Sequence, residues 1–105
     1  MNEFNEYQVT TADFVLPSVA LNPYYFTMGL AGEVGEVAEL IKKNLRDGKE
    51  VSSYYLTKEL GDVLFYLTQI ATTYGISLED VAQANVDKLE SRKSRGVIGG
   101  SGNDR

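Results

Sequence analysis

Apolar residues recur every three or four positions over long stretches of this chain, and no segment alternates over a convincing length. Phe26, Leu30, Val34, Val37, Leu40 or Ile41, and Leu45 trace one apolar face, which predicts a helix from Pro23 to about Arg46. Asn22-Pro23 supplies its start, an N-cap followed by proline at the first helical position, and Asp47-Gly48 ends it. Ser52 or Ser53 caps a further helix that extends to Tyr74, where Gly75 is the left-handed stop. Ser77-Leu78-Glu79-Asp80 resembles a capping box and opens another helix, with Leu78, Val81, Ala82 and Leu89 expected to face inward and fraying around Ser94 to Gly96. Ahead of these, residues up to Leu16 predict a short first helix that Pro17 stops, with Tyr7, Ala12, Phe14 and Val15 as packing positions. The expectation is an all-α, four-helix domain over residues 1–96 and a glycine-rich tail over 97–105.

One stretch asks for more than a monomer. Val63-Leu64-Phe65-Tyr66-Leu67 is apolar on more than one face, and a 105-residue chain can hardly cover such a helix alone. A bundle assembled with a partner subunit is therefore expected.

Composition narrows the chemistry. The chain has no Cys and no His, which excludes disulfides, Cys/His zinc sites, thiolate nucleophiles and His-based triads. A net charge of −5 argues against non-specific nucleic-acid binding. No apolar run approaches the roughly 18 residues of a membrane span. The start of the chain is acidic where a secretory signal is basic and then apolar, so the sequence reads as cytoplasmic.

Two acidic pairs stand out. Glu33 and Glu36 in Gly32-Glu33-Val34-Gly35-Glu36, and Glu59 and Asp62 in Glu59-Leu60-Gly61-Asp62, each place two carboxylates one helical turn apart on a shared face. Like charges so placed repel unless a cation lies between them. Gly35 and Gly61, each just before the second acid, predict close helix packing there. Antiparallel packing would make all four converge as an oxygen-ligand site for Mg²⁺, or for Mn²⁺ as a substitute. Glu39 continues the spacing and is expected to be a solvated charge.

Asn85, Lys88 and Arg92 form a second constellation, one stripe on the last helix. The cations would grip phosphate oxygens and the Asn85 amide would read a sugar or base edge; an ordinary amphipathic boundary has the same spacing. Tyr66, one turn beyond Asp62, is placed either to hydrogen-bond into the site or to pack as a core or interface aromatic. The tail admits two readings, a disordered terminus or a segment whose glycines and Arg105 fold over a bound anion.

With these residues in view, the chain from about Tyr7 onward resembles the MazG-like, all-α nucleotide pyrophosphohydrolases, most specifically in Glu33, Glu36, Glu59 and Asp62. Asn85, Lys88 and Arg92 fall where that family carries an Asn-x-x-Lys and a following basic residue. The resemblance implies Mg²⁺ held by the four acids, a nucleoside triphosphate cut between its α and β phosphates to a monophosphate and pyrophosphate, and a homodimer or homotetramer. It fits the compact, phage-like members, and leaves phosphoribosyl-ATP or alarmone hydrolysis, or a non-catalytic nucleotide-binding oligomer, as alternatives. Lys43 stands where dCTP-preferring relatives often carry Trp, so a purine, dGTP or GTP, is expected, resting against Tyr24, Tyr25 or Phe26.

Overall fold

Four α-helices and one 3₁₀ turn make up the computed structural model, which describes residues 2–105; Met1 lies outside it. In order they are α1 (Glu3–Ala12), the 3₁₀ turn Pro17–Val19, α2 (Pro23–Arg46), α3 (Ser53–Thr73) and α4 (Leu78–Ser94). No strand occurs among the described residues. The fold is all-α.

The caps are those expected from the sequence. Asn22 Oδ1 accepts hydrogen bonds from the backbone N–H of Tyr24 and Tyr25, at 3.0 and 3.2 Å. Ser52 Oγ accepts from Tyr55 N at 3.4 Å and Ser77 Oγ from Asp80 N at 3.1 Å. Gly48, Gly75 and Gly96, with φ of 66°, 68° and 72°, turn the chain out of α2, α3 and α4 in the left-handed conformation. The first helix is shorter than expected, ending at Ala12. Past that point the chain closes tight turns, Phe14 N to Thr11 O at 3.0 Å, and reaches Pro17 with Leu16 extended. A residue before proline is pushed out of the helical region, and here the unwinding starts several residues upstream.

Packing is dominated by α2 against α3, whose short connection sets them antiparallel. Gly35 and Gly61 do not mark a close contact, since an added Cβ at either would meet nothing within 4 Å; among the glycines of α2 and α3 it is Gly29 that does. A Cβ there would fall on the ring of Tyr66, so the glycine is what leaves room for that ring against the α2 backbone.

α1 is tied down by polar bridges. Gln8 donates to Thr72 Oγ1 at 3.0 Å and to Ile76 O at 2.9 Å, and accepts from Leu78 N at 2.8 Å, joining α1 to the end of α3 and the start of α4. Gln69, 2% exposed, donates to Thr11 Oγ1 at 3.0 Å across the interior. Such bridges fix register, because a buried amide left without partners costs about 1–3 kcal/mol.

The buried apolar core is small: Phe26, Ala71 and Leu78. Phe14 is 72% exposed, and Val81 and Leu89 also lie on the surface, contrary to the inward positions expected for them. The accessible surface is 7581 Å², where a compact monomer of this mass exposes about 5,800 Å². The radius of gyration is 16.4 Å, against about 13 Å for a compact chain of this length. α4 packs on α1 and α3 near their junction and leaves most of its length open.

Replacing Gly29 with Ala tests this contact. Helix propensity alone would stabilise by about 1 kcal/mol. Displacing Tyr66 should outweigh this, for a net loss on the order of 1–2 kcal/mol and a lowered Tm in calorimetry. Gly29→Ala more stable than wild type would show that Tyr66 is not held against α2.

Candidate metal centre

α2 and α3 each present one long stripe to the other. Tyr25, Gly29, Glu33 and Glu36 follow at four, four and three residues, and Glu59, Asp62 and Tyr66 at three and four. Helical geometry lines up such positions on one side of each helix. Antiparallel packing then sets Gly29 opposite Tyr66 and Glu33 opposite the pair on α3.

Glu33, Glu59 and Asp62 converge: one carboxylate oxygen from each lies within 4.8 Å of the others. Two trans oxygens about Mg²⁺ are roughly 4.2 Å apart, twice the ~2.1 Å bond, so a small inward movement would seat one ion. The donor set also fits, being oxygen only, as hard cations prefer. Glu36 stays outside this group, exposed, one turn further along α2. Its charge still reaches Glu33. The Glu33 carboxyl is pushed above its ordinary value of 4.5, by burial first and then by Asp62, Glu59 and Glu36 in turn. Glu39 has a different fate. Lys42 at 2.7 Å and Lys43 at 3.7 Å pair with it and hold its pKa down, first through the Lys42 hydrogen bond.

Two tyrosines border the acids. Tyr66 has its pKa raised by hydrogen bonding with Tyr25 first, then by burial, by Tyr25's charge, and by Glu33 and Asp62. The Tyr25 and Tyr66 rings lie 6.2 Å apart at 58°. Tyr7 of α1 is likewise raised, by burial and then by Asp62. Tyr25 was expected only as a ring for the base to rest against, and Tyr7 was not expected at the site. The four-residue step from Tyr25 through Gly29 to Glu33 is a signal for the first; Tyr7 arrives by tertiary packing and has none.

The α4 stripe makes its contacts with the tail. Asn85 is exposed, Lys88 half-buried and Arg92 buried, and both cations donate to the C-terminal tail. No hydrogen bond or ion pair among the described residues joins these cations to the acids. Of the aromatics expected to rest against a base, Phe26 is 2% exposed and closed to a ligand, and Tyr25 is engaged with Tyr66. Tyr24 is 79% exposed.

The sign of the Glu33 shift yields a prediction. An acid whose folded pKa is raised contributes stability that is complete below its unfolded value and lost as pH rises through the folded one. Metal-free protein should therefore lose this contribution as pH climbs upward from about 4.5. At pH 7 a divalent ion at a hundred times its Kd should restore about 2.7 kcal/mol, read as a rise in Tm. Glu33→Gln should raise the metal-free Tm and abolish most of the metal-dependent gain. An unchanged gain would remove Glu33 from the ligands.

Comparison with known proteins places this geometry. The chain is 49% identical to the Gene 37 protein of Mycobacterium phage L5 over 85 residues, 77% of this chain and 75% of that one. It is 36% identical to the uncharacterized protein YvdC of Bacillus subtilis (strain 168) over 72 residues, 60% of this chain and 68% of that one. No solved structure matches it. The MazG nucleotide pyrophosphohydrolase domain matches residues 23–97, from the first residue of α2 to just beyond α4, and so contains both acidic pairs and the basic stripe. By that match the chain belongs to the MazG nucleotide pyrophosphohydrolase family.

Proposed function

We propose that this protein is a divalent-metal-dependent nucleoside triphosphate diphosphatase, releasing a nucleoside monophosphate and pyrophosphate, and that it works as a homo-oligomer. The observation that carries the reading is the convergence of Glu33, Glu59 and Asp62 in a chain of this family. A protein that only bound a polyanion would gain nothing from three carboxylates facing it. The family is generally divalent-metal dependent, and an ion held by these three, Mg²⁺ or Mn²⁺, would offset the triphosphate charge and acidify water.

The chain's own residues supply the rest. Glu36, outside the converging group yet near Glu33, is the carboxylate left uncommitted. It takes the proton of the attacking water, whose oxygen bonds to the α-phosphorus as the bond from that phosphorus to the bridging oxygen breaks and pyrophosphate leaves. Lys88 and Arg92 hold the phosphate oxygens, with Asn85 on the sugar or base. Tyr66, seated over Gly29, offers its hydroxyl beside Glu33 and Asp62. Tyr24 is the exposed ring near the start of α2, and stacking on it favours the larger face of a purine.

Assembly completes the site. The surface excess, roughly 1,700 Å², is what one chain would give to a large interface. Gly35 and Gly61 face open space in the single chain, where a second copy's helix could approach closely. Such packing would also bring the basic stripe of one copy over the acids of another.

Two experiments test these readings. Incubated with Mg²⁺ and each common NTP and dNTP, the protein should release pyrophosphate, with kcat/KM larger for dGTP than for dCTP. Asp62→Asn should lose both turnover and the metal-dependent rise in Tm. Glu36→Gln should keep the rise while kcat falls on the order of 10²–10⁴-fold; loss of the rise as well would return Glu36 to the ligands. No turnover of any nucleotide would overturn the activity. For assembly, sedimentation should show a dimer or tetramer at micromolar concentration, and mixing inactive Asp62→Asn with inactive Lys88→Ala should restore part of the activity. A stable 11.6 kDa monomer would refute the oligomer.

A further inference from the structure

The C-terminal tail is neither splayed nor apolar-packed. It folds back on the end of α4 and is held there by cations. Arg92 Nη2 donates to Gly102 O at 2.9 Å and Asn103 O at 3.1 Å, and Lys88 Nζ to Asn103 Oδ1 at 3.2 Å. Arg95 Nη2 donates to the main-chain oxygen of Arg105 at 2.6 Å. Arg105 in turn spans the tail's own loop, donating to Val97 O, Ile98 O and Gly102 O. Glycine is needed for this path: Gly102 has φ of 87°, and a Cβ on Gly100 would come within 2.9 Å of the Arg105 side chain.

The charge balance of this cluster is unusual. Lys88, Arg92, Arg95 and Arg105 gather at one end of α4, and none is paired with an Asp or Glu side chain among the described residues, where such ion pairs are Lys42 and Lys43 with Glu39 and Arg46 with Asp47. Arg92 is only 6% exposed and its Nε has no hydrogen-bond partner at all. Burial first, then Arg105 and Arg95, makes its proton easier to lose than an ordinary guanidinium's. What satisfies Lys88 and Arg92 is a set of neutral oxygens, two backbone carbonyls and an amide oxygen, in place of the anions they would bind best.

We propose that the tail is a displaceable internal occupant of a phosphate site: the oxygens of Gly102 and Asn103 take the donors of Lys88 and Arg92 that a di- or triphosphate claims when it binds, with Arg95 as a third member of the grip. The inference rests on the reading of Lys88 and Arg92 as phosphate-binding residues. Charge favours displacement. Several of the strap's hydrogen bonds, those of Lys88, Arg95 and Arg105 among them, are exposed to water. In each of them the donor is charged and water competes for it. A phosphate offers the same cations an ionised acceptor with several oxygens, which makes each bond shorter and stronger. The strap keeps Arg92 covered while the site is empty and lowers the apparent affinity of any phosphate by the fraction of time it is docked.

The test uses the full chain and inorganic pyrophosphate, without metal. Titration should shift the amide signals of Gly102 and Asn103 towards unstructured values and move the Arg92 Nε–H signal, as calorimetry records binding. Gly102→Val removes no donor but strains the left-handed turn, and should bind pyrophosphate up to roughly tenfold tighter if the strap is docked about nine-tenths of the time. Asn103→Ala, which deletes the Lys88 contact without touching the turn, should act in the same direction should Gly102→Val disturb α4. Strap signals that stay still, or both variants binding no better than wild type, overturn the proposal; weaker binding in both would make the tail a lid instead and equally overturn it. Strap release by pyrophosphate in a protein that hydrolyses no nucleotide would sink the diphosphatase reading and leave this one standing. Turnover with an unmoved strap would do the reverse.

Discussion

Three carboxylates held within 4.8 Å of one another are the constraint on which this molecule turns. Two unit charges about 4 Å apart repel by about 1 kcal/mol in bulk water and about 4 kcal/mol near a protein surface, and three acids make three such pairs. The α2–α3 pairing has to hold against that force. It does so with half-buried apolar residues along both helices and with the seat that Gly29 makes for Tyr66. Burial first, and this repulsion after it, raise the pKa of Glu33, and a divalent ion would convert the repulsion into attraction. Site and scaffold are thus one interaction, since the packing that joins the helices also brings the acids together.

The rest of the chain is lightly packed for its length. With Phe26, Ala71 and Leu78 as its buried apolar residues, α1 depends on Gln8, Thr11 and Gln69 for its position. Polar bridges suit that job, because hydrogen bonds set direction where a few apolar contacts would allow sliding. Val81, Val86 and Leu89 of α4 and the open flanks of Gly35 and Gly61 are the surfaces that the proposed second copy would cover. The tail plays a related part at the other end of α4, covering a cluster of cations with oxygens of the chain itself.

Much was legible in the residues alone. Period, caps and stops determined α2, α3 and α4 almost to the residue, because Asn22, Ser52, Ser77 and the left-handed glycines act through bonds closed within a few positions. The acidic pairs and their stripe were equally readable, since helical geometry fixes which positions share a face. Tertiary structure decided the remainder. It separated Glu36 from the other three acids and paired Glu39 with lysines, outcomes that depend on side-chain reach across helices. It moved the close contact from Gly35 and Gly61 to Gly29, because a glycine marks permission for an approach and the partner's position makes it. It brought Tyr7 to the acids and the tail onto Lys88 and Arg92. Local rules act through neighbours along the chain, whereas charge, reach and burial are settled between residues that only folding makes neighbours.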